Sequence, residues 1–469
     1  MHSLGSWIMV LCCLFGQSVF AQDSLPKRLS EQDFFAIVKS FHPLMRQADI
    51  QVQKAKAQRI QAQAGFDPSF YFTNQQKTFD GKQYYQYINT ELKIPTWYGI
   101  EIKGGTENNR GANADTELTP GPSSYLGISI PLAKNLLMDK RRAALKQAKL
   151  FITQTEAERR ERINDLLYDA GSAYWNWVRA SQVKALIQSM LQVNRERYEL
   201  VKIGFRQGDR PALDTTEALS QLQQFEFLET EATLQVTLAA IDLSTYCWKA
   251  NDTYYNIDET VQPDSTWLLP DIAREALPEL NQLLTEAASH PALQQYQQKL
   301  SILQIDRKLK FQDLLPTVNV NGTLLSKDYT VLQKLGGNFY ENNNKFGLTL
   351  GIPLRLSGGR GAYRLAGLKL KETQNDLNLK RQAILNKIQA AFAELAALQK
   401  QVQQYGNVYT NYEKLARGES IRFRAGEGTL FLLNSRENKQ LEAAQKLIEL
   451  KTKYYKSKLS LQWSAGLLR

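Results

Sequence analysis

Three histidines and three cysteines are all that the 469 residues offer for metal or thiol chemistry. His2, Cys12 and Cys13 fall within the first 21 residues, MHSLGSWIMVLCCLFGQSVFA, which carry no Asp, Glu, Lys or Arg. An apolar run from Trp7 to about Phe15 and the small-x-small form of Val19-Phe20-Ala21 predict a signal peptide over 1–21, with Gln22 as the mature start. Cys12 follows Leu11 rather than a small residue, so lipid attachment is not expected there. Export then leaves His42, His290 and Cys247. Each histidine precedes a proline, as at a helix start, and without a cysteine cluster the pair offers no zinc or copper site. Cys247 sits in TYCW with no histidine beside it and reads as a small buried hydrophobe. Ser357-Gly358-Gly359-Arg360-Gly361 lacks the Gly-Lys-Ser/Thr ending of a phosphate loop and is expected to be a strand-to-helix hinge. No G-x-S-x-G elbow or H-E-x-x-H pair occurs. The expectation is no enzyme, no cofactor and no metal.

What remains is the chemistry of two charged turns. Residues 205–211 read FRQGDRP and residues 423–429 read FRAGEGT, the same Phe-Arg-x-Gly unit 218 positions apart. Gly208 and Gly426 let the backbone reverse without steric cost. Pro211 suits the first turn of a following helix. Phe205, Arg206, Asp209 and Arg210 at one turn, and Phe423, Arg424 and Glu427 at the other, place charge and an aromatic ring at an exposed end, as a partner-binding surface would.

Such turns need long helices to present them. No proline occurs between Pro131 and Pro211 or after Pro353, and an interior proline would cost a helix about 3 kcal/mol. Long helices are therefore expected over about 135–204 and 360–425. At 1.5 Å per residue the first would reach roughly 105 Å. Shorter helices are expected over 30–64, 211–247, 288–314 and 429–466. Leu167, Ala170, Tyr174 and Trp177 share a 3-4-3 spacing with Leu385, Ile388, Phe392 and Leu395, again at an offset of 218. That spacing is a coiled-coil seam.

The chain thus says nearly the same thing twice: helix, strands, long helix, turn, helix. The copies are expected at 22–247 and 288–469. A proline-rich connector over 248–287 would join them. Between the first two helices of each copy lie strand-like segments. SFYFTNQQKTF, QYYQYINTELKI, WYGIEIKGG and SSYLGISIPL occupy the first copy; TVNVNGTLLSKDY and NKFGLTLGIPL occupy the second. Most are about ten residues long and several alternate apolar with polar, as tilted membrane strands do. So few strands cannot close a barrel alone, and open edges are not tolerated in lipid. A barrel shared between several chains is the expectation. The first strand region exceeds the second by some 25 residues, from longer loops or an extra strand pair.

The net charge of +11 raises nucleic acid as a partner. With no run of five or six basic residues, none is expected. An exported soluble coiled-coil scaffold without a pore is the alternative, which the strand groups disfavour.

Taken in order, these features resemble the TolC-like outer-membrane efflux protein family over essentially the whole mature chain. The resemblance rests on the duplication, on His42-Pro43 and His290-Pro291, and on the strand ends Ile130-Pro131-Leu132 and Ile352-Pro353-Leu354. The Gly358-Gly359 junction and the turns Phe205–Gly208 and Phe423–Gly426 complete it. It implies a mainly α protein with a membrane β-barrel: a homotrimer in the outer membrane, each chain giving strands to one barrel and helical hairpins to a periplasmic α-barrel. It implies that the turns are periplasmic tips docking on a membrane-fusion adaptor of an inner-membrane pump, for drug efflux or type I secretion. Family members ring the pore with carboxylates beyond the second tip. The matching positions here, Leu432 and Ser435, are not acidic, whereas Asp214 beyond the first tip is. Closure is expected to rest on Asp214 and on apolar contacts from Phe431, Leu432 and Leu433.

Overall fold

Two helices of 68 residues each set the scale of the molecule. The computed structural model describes residues 27–111, 115, 117–258, 260–265, 271–329 and 343–469. The expected signal peptide lies outside these residues, as does most of the GGNFYENNN loop. In chain order the elements are β1 (Arg28–Leu29), α1 (Glu31–Phe41), α2 (Pro43–Gln63), β2 (Ser69–Phe79), β3 (Lys82–Pro95), β4 (Glu101–Arg110) and β5 (Gly121–Pro131). Then come α3 (Lys140–Gln207), α4 (Ala212–Ser244), β6 (Gln262–Pro263), α5 (Leu280–Glu286) and α6 (Pro291–Gln312). β7 (Thr317–Lys327), β8 (Asn344–Gly351), α7 (Ser357–Arg424) and α8 (Leu430–Ser464) complete the chain.

The expected helix over 30–64 is two helices. His42 breaks it, with ψ at 131°, because the residue before a proline is driven out of the α region by the proline ring. His290 has ψ 133° for the same reason, and its Nδ1 accepts from the Ala292 N–H to cap α6. α3 starts five residues later than expected. Leu132 and Lys134 stay bonded to the start of β7, with Leu132 N–H donating to Val318 O and Lys134 N–H to Pro316 O, and Asn135 turns the chain at φ 70°. Asp139 then caps α3 through the Arg142 N–H at 2.7 Å. Among the described residues no helix is long and apolar enough to cross a membrane.

The chain forms two compact units that interleave the sequence copies. One holds described residues within 1–43, 169–275 and 398–456. Its helices pack around Ile187, Leu191, Leu222, Phe225, Ala232 and Leu441. The connector is tied down here: Gln399 Nε2 donates to the Ile272 and Glu275 carbonyls, and Tyr454 OH to Glu275 Oε2. Trp175 stacks on Tyr455 at 4.4 Å, and Tyr174 OH donates to Leu29 O in the short parallel β1–β6 pair. Cys247 is fully buried, and burial pushes its thiol up to about 12. At that value it stays a protonated, inert side chain.

The other unit, 44–168, 276–397 and 457–469, contains a six-stranded antiparallel sheet in the order β2-β3-β4-β5-β7-β8. The longer first strand region therefore holds an extra strand pair. β2 and β3 join through Asp80 and Gly81, both at positive φ, the two-residue turn that matches strand twist. β4 starts at Glu101 rather than Trp97, since Thr96 and Ile100 close a tight turn over Gly99 at φ 84°. Trp97 stacks on Phe66 at 4.1 Å beneath it.

Candidate functional site: helix tips and sheet faces

Both Phe-Arg-x-Gly turns adopt one backbone solution. Gly208 has φ 81° and Gly426 φ 82°. Gly208 N–H donates to Phe205 O and Asp209 N–H to Gly204 O; Gly426 N–H donates to Phe423 O and Glu427 N–H to Arg422 O. This paired pattern closes the last carbonyls of a helix around a left-handed residue, a conformation that favours glycine. Pro211 then caps α4 from just outside the helix, and the Thr429 hydroxyl accepts from the Leu432 N–H to cap α8.

The side chains divide. Phe205, Arg206, Asp209, Arg424 and Glu427 are exposed. Arg210 does not join them as a free surface charge. Its guanidinium lies 4.2 Å above the Phe423 ring, Nη2 donates to Phe423 O at 3.2 Å, and Nη1 lies 3.6 Å from Asp214. Arg210 thus clasps the first tip to the second, and Asp214 holds the clasp from α4. Leu433 is also displaced from its expected place: only 1% exposed, it fills the protein interior, whereas Phe431 is 73% exposed. The α8 turn points residues 430 and 433 inward, where Leu430 packs with Val201 and Ala218, and turns 431 outward.

Sequence reasoning missed a polar seam above the tips. Arg197 on α3 forms a two-pronged pair with Glu437 on α8, Nη1 to Oε2 at 2.6 Å and Nη2 to Oε1, with both side chains 9% exposed. Asn434 donates to Glu217, and Gln221 to Asn438. Partners some 217 to 240 positions apart give no local pattern that could announce them.

In the sheet, register sorts the residues by face. One face carries Phe70 and Phe72 on β2, Leu92 and Ile94 on β3, Ile102 on β4, Leu126, Ile128 and Ile130 on β5, Val318 and Val320 on β7, and Leu348 and Leu350 on β8. The opposite face carries Tyr71, Glu91, Lys93, Lys103, Glu107, Asn319, Asn321, Thr349 and Lys345. The apolar residues gather toward the strand ends that join the helices. Gly105 lies on the polar face, where a Cβ would sit 2.0 Å from Thr90 O and 2.8 Å from Tyr125 OH. β2 and β8 each pair on one side only among the described residues. Among those residues no group of three metal-ligating side chains gathers.

Comparison with known proteins agrees with this geometry. The model of the outer membrane efflux protein family matches residues 38–247 and 283–467, once per copy. No curated protein matches the chain significantly. Among solved structures, the outer membrane protein VceC of Vibrio cholerae superposes with a TM-score of 0.65 at 15% identity, over 93% of this chain and 96% of VceC. The CmeC outer membrane channel of Campylobacter jejuni gives 0.63 at 16%, over 93% and 86%. The MtrE outer membrane channel of Neisseria gonorrhoeae, in an open state, gives 0.63 at 14%, over 94% and 89%. At these identities the likeness is one of fold.

Proposed function

Because the chain belongs to the outer membrane efflux protein family, we propose that it is one third of a passive exit duct. The barrel spans the outer membrane, and the helix tips dock on a periplasmic adaptor of an inner-membrane pump. The observation that carries this is the sheet: toward the helix-proximal strand ends one face is apolar and the other polar and charged, and each edge strand pairs on one side only among the described residues. In lipid an open edge leaves backbone groups unsatisfied at several kcal/mol each. Edge-to-edge closure of three copies removes every open edge, and the six strands this sheet has among the described residues then make an eighteen-stranded barrel. Barrels of about that size leave an aqueous channel. The apolar face meets the lipid, and the face with Glu91, Lys103 and Lys345 lines water. A soluble scaffold gives no reason for that division.

The test is imaging of protein extracted from membranes in detergent. Three-fold particles bearing a central pore are expected. Monomers that stay soluble without detergent would overturn the duct.

At the other end, Phe205, Arg206, Gly208 and Asp209, with Arg424, Gly426 and Glu427, form the adaptor-docking surface. Their exposure and their matched backbone support that role. Asp214, Phe431 and Leu432 narrow the pore. Leu433 is excluded from the test variant, because truncating a buried leucine costs about 2–5 kcal/mol by itself. A Phe431→Ala/Leu432→Ala protein is expected to show a severalfold higher resting conductance in planar bilayers. An unchanged resting state would remove both side chains from the constriction.

A further inference from the structure

Two adjoining hollows, about 690 and 630 Å³, run along α6 and α7. They share Gln304, Arg307, Tyr363 and Leu370 and so form one groove. Five cations line it: Lys146, Arg307, Lys308, Arg364 and Lys371, with no carboxylate among the lining residues. Its apolar lining comes from Leu137, Met138, Phe311, Leu368 and Leu370. Arg307 is held in place by the Tyr363 ring, 4.9 Å beneath its guanidinium, and by a 2.9 Å hydrogen bond to Tyr363 OH. That bond engages one guanidinium nitrogen and leaves the others available.

The location narrows the ligand. Phe311 lies six residues before β7, Leu137 six residues after β5, and Tyr363 six residues into α7. Six helical residues rise about 9 Å, so one end of the groove opens just below the strand ends where the apolar face begins at Ile130, Val318 and Leu350, while Lys371, at the other end, lies about 21 Å along α7. A bilayer places its headgroups within several ångströms of its hydrocarbon core. A soluble anion would use the cations and leave the apolar lining without a role. An amphiphile whose acyl chains lie on the sheet uses both. Basic pockets beside membrane-spanning elements hold anionic lipid headgroups by this combination.

We propose that the groove seats the phosphate headgroup of an anionic glycerophospholipid from the leaflet that meets the helix-proximal strand ends. The site rests on the sheet being the membrane-spanning element. It would anchor the barrel's vertical position by charge as well as by apolar area.

The test is native mass spectrometry of the full-length protein in non-ionic detergent, titrated with phosphatidylglycerol or phosphatidylcholine. Phosphatidylglycerol adducts are expected to saturate at one per chain, with little phosphatidylcholine bound. An Arg307→Gln/Arg364→Gln/Lys146→Gln protein should bind phosphatidylglycerol about a hundredfold more weakly. The triple variant's helix content and assembly should match wild type, which controls for folding, and Arg307→Lys, which keeps the charge, should retain most of the binding. Equal binding of the two lipids, no loss in the triple variant, or full displacement by millimolar inorganic phosphate would each overturn the lipid site. The same spectrum reports the assembly. A detergent-bound trimer without lipid preference defeats only the groove, whereas a detergent-free monomer defeats the membrane-spanning sheet itself.

Discussion

Arg197→Ala is expected to destabilise the protein by about 3–5 kcal/mol, the cost of leaving one buried charge without its partner. Glu437 would be stranded with 9% of its side chain exposed. Asn194, whose Oδ1 accepts from Arg197 at 3.2 Å, would lose its donor as well. Unfolding by denaturant in detergent reads the loss directly. Replacing both partners, as Arg197→Met/Glu437→Leu, should recover most of it, since a packed apolar pair carries no desolvation penalty. The ion pair would then be a device for alignment: it fixes which turn of α8 faces which turn of α3, and so the level at which the two tips end. A single variant that unfolds at the wild-type midpoint would show that the apolar contacts around Phe225 and Leu441 hold these helices without it.

Arg210→Glu is expected to have the largest effect on conductance. The change removes the cation from the Phe423 ring, removes the donor to Phe423 O, and sets a carboxylate against Asp214. A cation over an aromatic face contributes about 0.5–2 kcal/mol. A shift of one to two kcal/mol multiplies a minority population roughly 5–30-fold. The open fraction of single channels in planar bilayers should rise by that order. Arg210→Lys, which keeps charge but loses the planar contact, should fall between. Equal open fractions for all three proteins would assign Arg210 to tip folding alone and leave the resting state to Phe431, Leu432 and the neighbouring chains.

The long helices and their turns were legible in the sequence because their determinants are local. Gaps in proline placement marked α3 and α7 to within a few residues. Phe-Arg-x-Gly announced a left-handed helix end twice. The break at His42 was legible, since Pro43 dictates it and His42-Pro43 has the form of a helix start inside the expected 30–64 span. The turn at Trp97–Gly99 was hidden by aromatic residues that favour strands, with only Gly99 to betray it. The extra strand pair stood open in the longer first strand region, and Gly105 within β4 is explained only by the fold, since a Cβ there would sit 2.0 Å from Thr90 O and 2.8 Å from Tyr125 OH. Alternation showed that strands had two kinds of face; only cross-strand register shows that the apolar faces coincide on one side. Arg210 and Leu433 are the instructive pair at the tips. Arg210 turns toward Phe423 in the other half of the chain, and Leu433 lies on the buried face of α8 that Leu430 also occupies.

The two edge strands, β2 and β8, each paired on one side only among the described residues, bear on how cells tolerate variation in this protein. On the proposed edge-to-edge closure of three copies, a chain with one blocked edge that still folds its helices would offer the other edge, enter assemblies and spoil them. If three chains are drawn at random from an equal mixture of intact and blocked copies, about one assembly in eight is wholly intact. A defect confined to β2 or β8 would therefore behave as dominant in a cell that also makes the normal chain. A defect that unfolds the chain before assembly would behave as recessive, because it never reaches the ring. Genetic dominance among variants thus becomes a map of the seam between copies.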